Sequence, residues 1–318
     1  MINHSLFTEI VLNYGFSELN ISRVIKGGNS HVLKIESTHS KPLALKVYEG
    51  TKERRLRSLM HELEAYRVLH NNGIINVPKL RNYSEQFPSI LCDWIDGDTP
   101  KVDRKSKDAI INCILELKSL HKKNQCNLNS VDSISSYDEL IMQIEARHEQ
   151  LVSVENFPRN LLNTLESTLQ IYSSHIDEGQ LNIDTLSFSD FGVHNLLINH
   201  ENTIFFIDFE FFGQDSSVKL ISDLTAHPRG MYSSKEIMGI ADLLEINRNF
   251  VKKGYLELIA LKWAYIAAKR MVDLDSMRFV GREVDSEDPL NYISYVEYLG
   301  QNSNDTRFLT FLEFKSVR

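Results

Sequence analysis

With 318 residues, 42% of them hydrophobic, the chain is long enough for two modest domains or one large bilobed one. Its 35 basic residues against 43 acidic ones leave a net charge of −8 without a long Lys/Arg run, which argues against a sequence-independent nucleic-acid binder. No stretch reads as a bilayer span: the most apolar one, Leu256 to Met271, is short and carries Lys262, Lys269 and Arg270.

The opening MINHSLFTEIVLNYGF lacks a basic region followed by an apolar one, so no signal peptide is expected. Cys92, Cys113 and Cys126 show neither CxxC spacing nor a His pattern. They read as small buried hydrophobes in a reducing compartment, and the expected location is the cytoplasm.

The first part of the chain reads mainly as strands. Ile21 to Ile25 leads into Gly27-Gly28-Asn29-Ser30, and Val32 to Ile35 follows. After the turn around Ser40-Lys41-Pro42 comes the β-rich run Leu43 to Tyr48. Leu59, Leu63, Tyr66 and Leu69 recur at helical spacing, and Asn71-Asn72-Gly73 ends that helix. The basic cluster Lys52 to Arg57 reads as its solvated start. Short runs to Leu80 and from Ile90 to Ile95 return to strand.

Asp96-Gly97-Asp98-Thr99-Pro100 is the clearest boundary, dividing a β-rich lobe over 1–96 from a larger, mainly helical lobe over 97–318. Helices are predicted over 110–121, 137–152, 161–175, 237–244 and 255–271, interrupted by a strand–loop–strand segment. Two such lobes joined at one hinge leave a cleft where a nucleotide would lie.

The glycine turn at Gly27-Gly28-Asn29-Ser30 sits between two strands, unlike a Walker A loop, which opens a helix. Glycine lets a backbone approach a phosphate closely, although a plain β-turn explains the same residues. Lys46 lies in an otherwise apolar strand, so an inward ammonium needs an anionic partner. Phosphates and a carboxylate on the next helix would both serve, and of Glu62 and Glu64 the preferred partner is Glu62.

The segment from Leu186 to Asp223 carries the chemistry. It places Asp190, then Asn195 after four intervening residues, then an apolar strand ending in Asp208-Phe209-Glu210. Phosphoryl transfer needs this inventory: one carboxylate to receive or orient the acceptor proton, and an amide and a second carboxylate to hold metal ions on the phosphates. Asp and Asn are also ordinary turn residues. The strand to Asp208 and the N-terminal features are what favour chemistry.

Together these residues resemble the aminoglycoside phosphotransferase/choline kinase branch of the protein-kinase-like fold. The resemblance runs from about Ile21 to about Ala268 and is most specific in SDFGVHN, IDFE and FGQD…KLISD. It implies an α+β, bilobed fold that uses ATP (GTP is possible) and Mg2+. It makes Asp190 the catalytic aspartate and Asn195 and Asp208 the metal ligands. Gly27, Gly28 and Ser30 would close on the nucleotide, and Lys46, oriented by Glu62, would contact the α/β phosphates. The stretch from Leu91 to Trp94, including Cys92, would meet the adenine through main-chain groups. Asp223 would brace the catalytic loop. The family usually has His two residues before the catalytic Asp; here Phe188 stands there, its ring taking over the packing role, and His194 does not restore the position.

The implied reaction moves the γ-phosphate of ATP to a hydroxyl of an aminoglycoside, amino alcohol, sugar or related metabolite. The acceptor would sit on the larger lobe. Tyr255, Trp263 and Tyr265 read more simply as core than as its lining. The acidic Glu283, Asp285, Glu287 and Asp288 read as a solvated loop. No nucleic-acid or membrane partner is expected, and the oligomeric state is not legible. The alternative is a catalytically weak, nucleotide-binding pseudokinase that scaffolds a partner, with Phe188 as its support. A Ser/Thr protein kinase fits poorly, because Asp208-Phe209-Glu210 replaces Asp-Phe-Gly and no Ala-Pro-Glu follows.

Overall fold

A computed structural model describes residues 9–10, 12–15, 20–26, 29–37, 40–73, 76–173, 180–226, 232–246, 255–269, 271–273 and 277–279. Gly27, Gly28, Glu283, Asp285, Glu287 and Asp288 lie outside the described residues.

The N-terminal part is an antiparallel sheet of β1 (Asn20–Lys26), β2 (Ser30–Ser37), β3 (Ser40–Tyr48), β4 (Leu80–Ser84) and β5 (Ser89–Asp93), in the order β1-β2-β3-β5-β4. The predicted strand at Leu80 begins there rather than ending there, since residues 76–79 before it are not part of a strand. β3 is central, and its last four residues, Leu45 to Tyr48, are all buried. Period-2 alternation sends Leu45 and Val47 into a core with Ile10, Leu33, Ile35 and Leu91. It sends Lys46 and Tyr48 to the opposite face, and register pairs Lys46 with Val32 and Ile90.

Helix α1 (Lys52–Asn72) starts at Thr51, whose side chain accepts the Arg54 N–H, as an N-cap hydroxyl does. It ends at Gly73, which adopts φ +62 and donates its N–H to the Leu69 carbonyl, a left-handed cap that glycine takes without strain. Leu59, Glu62, Tyr66 and Leu69 line its buried face.

After β6 (Gly97–Asp98) come α2 (Arg104–Lys122), α3 (Tyr137–Val152) and α4 (Arg159–Ser173). Then follow β7 (Thr185–Ser187), a 3-10 turn at Val193–Asn195, β8 (Leu196–Asn199), β9 (Ile204–Phe206) and β10 (Gly213–Asp215). The helices α5 (Ser217–Ala226), α6 (Ser234–Leu243) and α7 (Tyr255–Lys269) follow. Helix α5 was not anticipated: its turn-like entry Gln214-Asp215-Ser216 hid a helix whose buried face includes Lys219. α2 begins six residues before the predicted start, in a polar first turn that carries no apolar period. Tyr255 and Tyr265 are almost fully buried on α7, with Tyr255 edge-on to Tyr137 at 5.4 Å, so these two are core, while Trp263 is partly exposed. None of the described helices is long and apolar enough to cross a membrane.

The chain forms two compact units. One comprises Met1–Glu116, Asn124–Val131 and Val193–Gly213, and the other Leu117–Lys123, Asp132–Gly192 and Gln214–Arg318. The strands β8 and β9, which form a separate sheet with β6, therefore fall in the same unit as the N-terminal sheet.

Candidate active site

In the first unit, Lys46 Nζ lies 2.6 Å from Glu62 Oε2 and 2.6 Å from Asp208 Oδ1. Glu62 also accepts the Tyr48 hydroxyl at 2.7 Å, so one oxygen of a buried carboxylate receives two donors. Glu64, the other helix carboxylate, instead pairs with Arg67 at 2.7 Å. Burial pushes Glu62 above the usual carboxylate range despite Lys46. The Lys46 ammonium is opposed by burial, yet Asp208, Glu62 and Glu210 hold it above its ordinary value. The sequence thus places one permanent cation among three carboxylates.

The hairpin of β8 and β9 sets the next two residues. Leu196 pairs with Phe206, and the ladder extends one step further, where the Ile207 N–H donates to the Asn195 carbonyl at 3.0 Å. Asn195 and Asp208 accordingly leave neighbouring points of one hairpin end. Asp208 takes φ +67, a left-handed conformation that Asp tolerates better than most residues, and its side chain remains 41% exposed. Ser30 is buried at the start of β2, opposite Tyr48.

Glu210, two residues beyond Asp208, is buried and accepts the Asn29 side-chain amide at 2.6 Å. The sequence marks it as a carboxylate where protein kinases carry glycine but assigns it no role. Cys92 is buried on β5, where burial and Glu62 push its thiol up to about 12. The Asp93 and Trp94 N–H groups donate to the Lys79 and Pro42 carbonyls, and the Lys34 ammonium stands 5.4 Å from the Trp94 ring.

In the second unit, Asp190 is partly buried and its Oδ1 accepts the Gly192 N–H at 3.1 Å. Its loop turns through Ser189 at φ +62, whose N–H donates to Ser187 Oγ. Phe188 is buried with its ring 5.2 Å from that of Phe191, so the aromatic residue at the usual His position is a packing element. Ser189, Phe191 and Gly192 line a pocket with Leu220, Asp223 and Tyr232.

Behind that pocket lies a buried ion network. Lys219 is fully buried, 3.0 Å from Asp215 and 2.8 Å from Asp223. Lys262, also buried, donates to Gln143 at 2.9 Å and lies 3.7 Å from Asp132, which in turn is 3.6 Å from Arg147. Burial opposes ionisation of Asp132, but Lys262, Lys219 and Arg147 hold its carboxyl down to about 2. Asp223, expected to brace the loop, is thus itself anchored by Lys219. The spacing of Asp215, Lys219 and Asp223 at successive helical turns was the signal available in the sequence.

The model of the phosphotransferase enzyme family (APH) matches residues 22–215, about three-fifths of the chain. Among solved structures, choline kinase LicA from Streptococcus pneumoniae superposes with a TM-score of 0.59 at 14% identity, covering 95% of this chain and 100% of that one. The streptomycin–ATP–APH(2'')-IIa ternary complex gives 0.56 at 15% identity, covering 97% and 100%. Spectinomycin phosphotransferase APH(9)-Ia, in complex with ADP and spectinomycin, gives 0.55 at 13% identity, covering 98% and 99%. At these identities the likeness establishes the fold, α+β and protein-kinase-like, with a sheet-rich N-terminal and a helical C-terminal region. No curated protein matches the chain.

Proposed function

The chain belongs to the phosphotransferase enzyme family, and from that premise we propose that it is an ATP- and Mg2+-dependent kinase of a small molecule. It would act in the cytoplasm and move the γ-phosphate to a hydroxyl of an aminoglycoside, amino alcohol, sugar or related metabolite. Residues 1–96 would serve as the nucleotide-binding lobe, and 97–318 would carry the catalytic loop and acceptor site.

The observation that carries this reading is the cluster of Lys46, Glu62 and Asp208. A lone buried ion pair would need one carboxylate, but Lys46 faces two at 2.6 Å, one of them still open to solvent. This surplus of negative charge fits a second cation. Carboxylate and amide oxygens are the donors a hard divalent ion takes, and Asn195 and Asp208 supply them. Bound there, Mg2+ would neutralise charge developing on the phosphates.

The protein's own groups do the rest. Lys46, held by Glu62, restrains the α/β phosphates. Asp190 orients the acceptor hydroxyl and takes its proton as the new oxygen–phosphorus bond forms and the bond to the ADP oxygen breaks. A loose transition state asks little base strength of Asp190, so positioning and electrostatics supply most of the acceleration. The packing of Phe188 against Phe191 supports an intact loop without the usual His.

The test is ATP consumption with Mg2+ across aminoglycosides, amino alcohols, amino acids and monosaccharides, with Asp190→Ala as the blank. Acceptor-dependent ADP formation lost in that variant is expected. Tight ATP binding with no turnover on any acceptor would overturn catalysis in favour of a scaffold.

A further inference from the structure

Tyr48 touches both members of the Lys46–Glu62 pair. It stands two residues beyond Lys46 on β3, so period-2 alternation puts the two side chains on one face of the sheet. Its hydroxyl donates to Glu62 Oε2 at 2.7 Å, the same oxygen that meets Lys46 Nζ at 2.6 Å. Its ring centroid lies 5.3 Å from Lys46 Nζ, within the range of a cation–π contact. Lys46, Tyr48 and Glu62 are all buried, and all belong to the first unit.

The two donors that meet Glu62 among the described residues differ in what else they serve. Lys46 has a long flexible stem, and its ammonium is shared between Glu62 and Asp208. Tyr48 is stiffer: its ring is packed in the buried end of a central strand, and its hydroxyl bonds Glu62. One donor is thus fixed by the sheet while the other has a second carboxylate to answer. Packing alone asks for no hydroxyl here, since phenylalanine would fill the position with no polar atom to satisfy.

We propose that Tyr48 is a positioning residue for the nucleotide site. Its hydroxyl holds the Glu62 carboxylate and its ring flanks the Lys46 ammonium, so that the ammonium is aimed at the α/β phosphates. The inference rests on the proposed ATP-dependent function. Without the hydroxyl, Glu62 keeps Lys46 as its donor and turns with it, and ordering the pair is left to the moment of binding. ATP binding then weakens and KM for ATP rises, while kcat changes much less because Asp190 is untouched.

The experiment measures ATP binding with Mg2+ by calorimetry, KM and kcat, and melting temperature, on the full chain. Tyr48→Phe keeps the ring and is expected to weaken ATP binding about tenfold, the scale of one lost hydrogen bond to a charged group. Tyr14→Phe is the control for a merely structural loss, because the Tyr14 hydroxyl donates to the Ser89 carbonyl at 3.0 Å in the same unit. It is expected to lower the melting temperature and to leave ATP affinity within about twofold of the wild type. In a Glu62→Gln background, adding Tyr48→Phe is expected to cost less than about twofold further, since the carboxylate it holds is gone. Wild-type affinity in Tyr48→Phe overturns the positioning role while leaving the kinase function standing. So does an equal loss of affinity in Tyr14→Phe, a full further loss in the Glu62→Gln background, or a Tyr48→Phe chain that does not fold. Absence of ATP binding by the unaltered protein overturns both.

Discussion

Lys46 Nζ and Glu62 Oε2 lie 2.6 Å apart with side chains 8% and 2% exposed, which makes them a buried pair whose halves cannot be lost independently. Removing one partner of such a pair costs about 3–5 kcal/mol, because the other charge stays behind in low dielectric. Glu62→Ala leaves Lys46 facing Asp208 and Glu210, and Lys46→Met strips Glu62 and Asp208 of the ammonium they share. The double variant K46M/E62Q removes both charges and should unfold in urea at a midpoint nearer the wild type than Lys46→Met does. It should nonetheless be inactive, since nothing then restrains the phosphates. A double variant as unstable as the sum of the singles would mean that the pair contributes through packing.

Asp208 sits at φ +67, so the choice of substitution decides what is measured. Alanine there adds about 1 kcal/mol of left-handed strain, whereas Asn tolerates that region. Asp208→Asn should therefore retain its melting temperature within a few degrees while losing turnover and the Mg2+ dependence of ATP binding. Asp190→Asn should retain Mg2+-dependent ATP binding and lose turnover by about 10²-fold or more, as removal of a proton acceptor does. If Asp208→Asn binds ATP with unchanged Mg2+ dependence, the assignment of Asp208 to the metal fails.

The parts of the site visible in sequence are those where local pattern and chemistry coincide. Lys46 stood out because a central strand is otherwise apolar, and the helical spacing of Leu59, Tyr66 and Leu69 put Glu62 on the buried face that meets it. Asn195 and Asp208 were legible as motif positions, and the β8–β9 hairpin places them at one end. Glu210 and Lys219 left a mark in the sequence but no role could be read for them, and Asp132 left none, because what distinguishes all three is burial by residues far away in sequence. Asn29 reads as an ordinary turn residue until Arg54 and Glu210 are seen to hold it. The start of β4 at Leu80 and the helix α5 were missed for a related reason: short polar entries mask the element that follows.

Asp132 gives a pH dependence whose sign is fixed. Its carboxyl is held at about 2 in the folded protein, below the value of roughly 3.9 in an unfolded chain. A depressed carboxyl adds stability that is full above the unfolded value and lost as pH falls through the folded one. The contribution is about 2 kcal/mol at neutral pH, with about half gone by pH 3. Asp132→Asn should thus be less stable than the wild type at pH 6, with the gap reduced to about half by pH 3 in urea unfolding. A gap constant across that range would show that Asp132 acts through hydrogen bonding alone.

Lys219 poses the sharpest stability question in the second unit. It is fully buried between Asp215, also fully buried, and Asp223, which lines the pocket shared with Ser189, Phe191 and Gly192. Burial pushes Asp215 above its usual range, and the Lys219 ammonium is the largest influence opposing that rise. Lys219→Met fills similar volume but strips buried Asp215 and partly buried Asp223 of their cation, at a cost of about 3–5 kcal/mol. For a chain of this size that corresponds to a fall of roughly 10 °C in Tm. Adding Asp215→Asn should recover part of the loss by removing one unpaired charge, whereas adding Asp223→Asn should recover stability but lose activity with the anchor of the loop gone. If K219M/D223N were as active as the wild type, Asp223 would have no part in holding the Asp190 loop, and the ion network would be structural only.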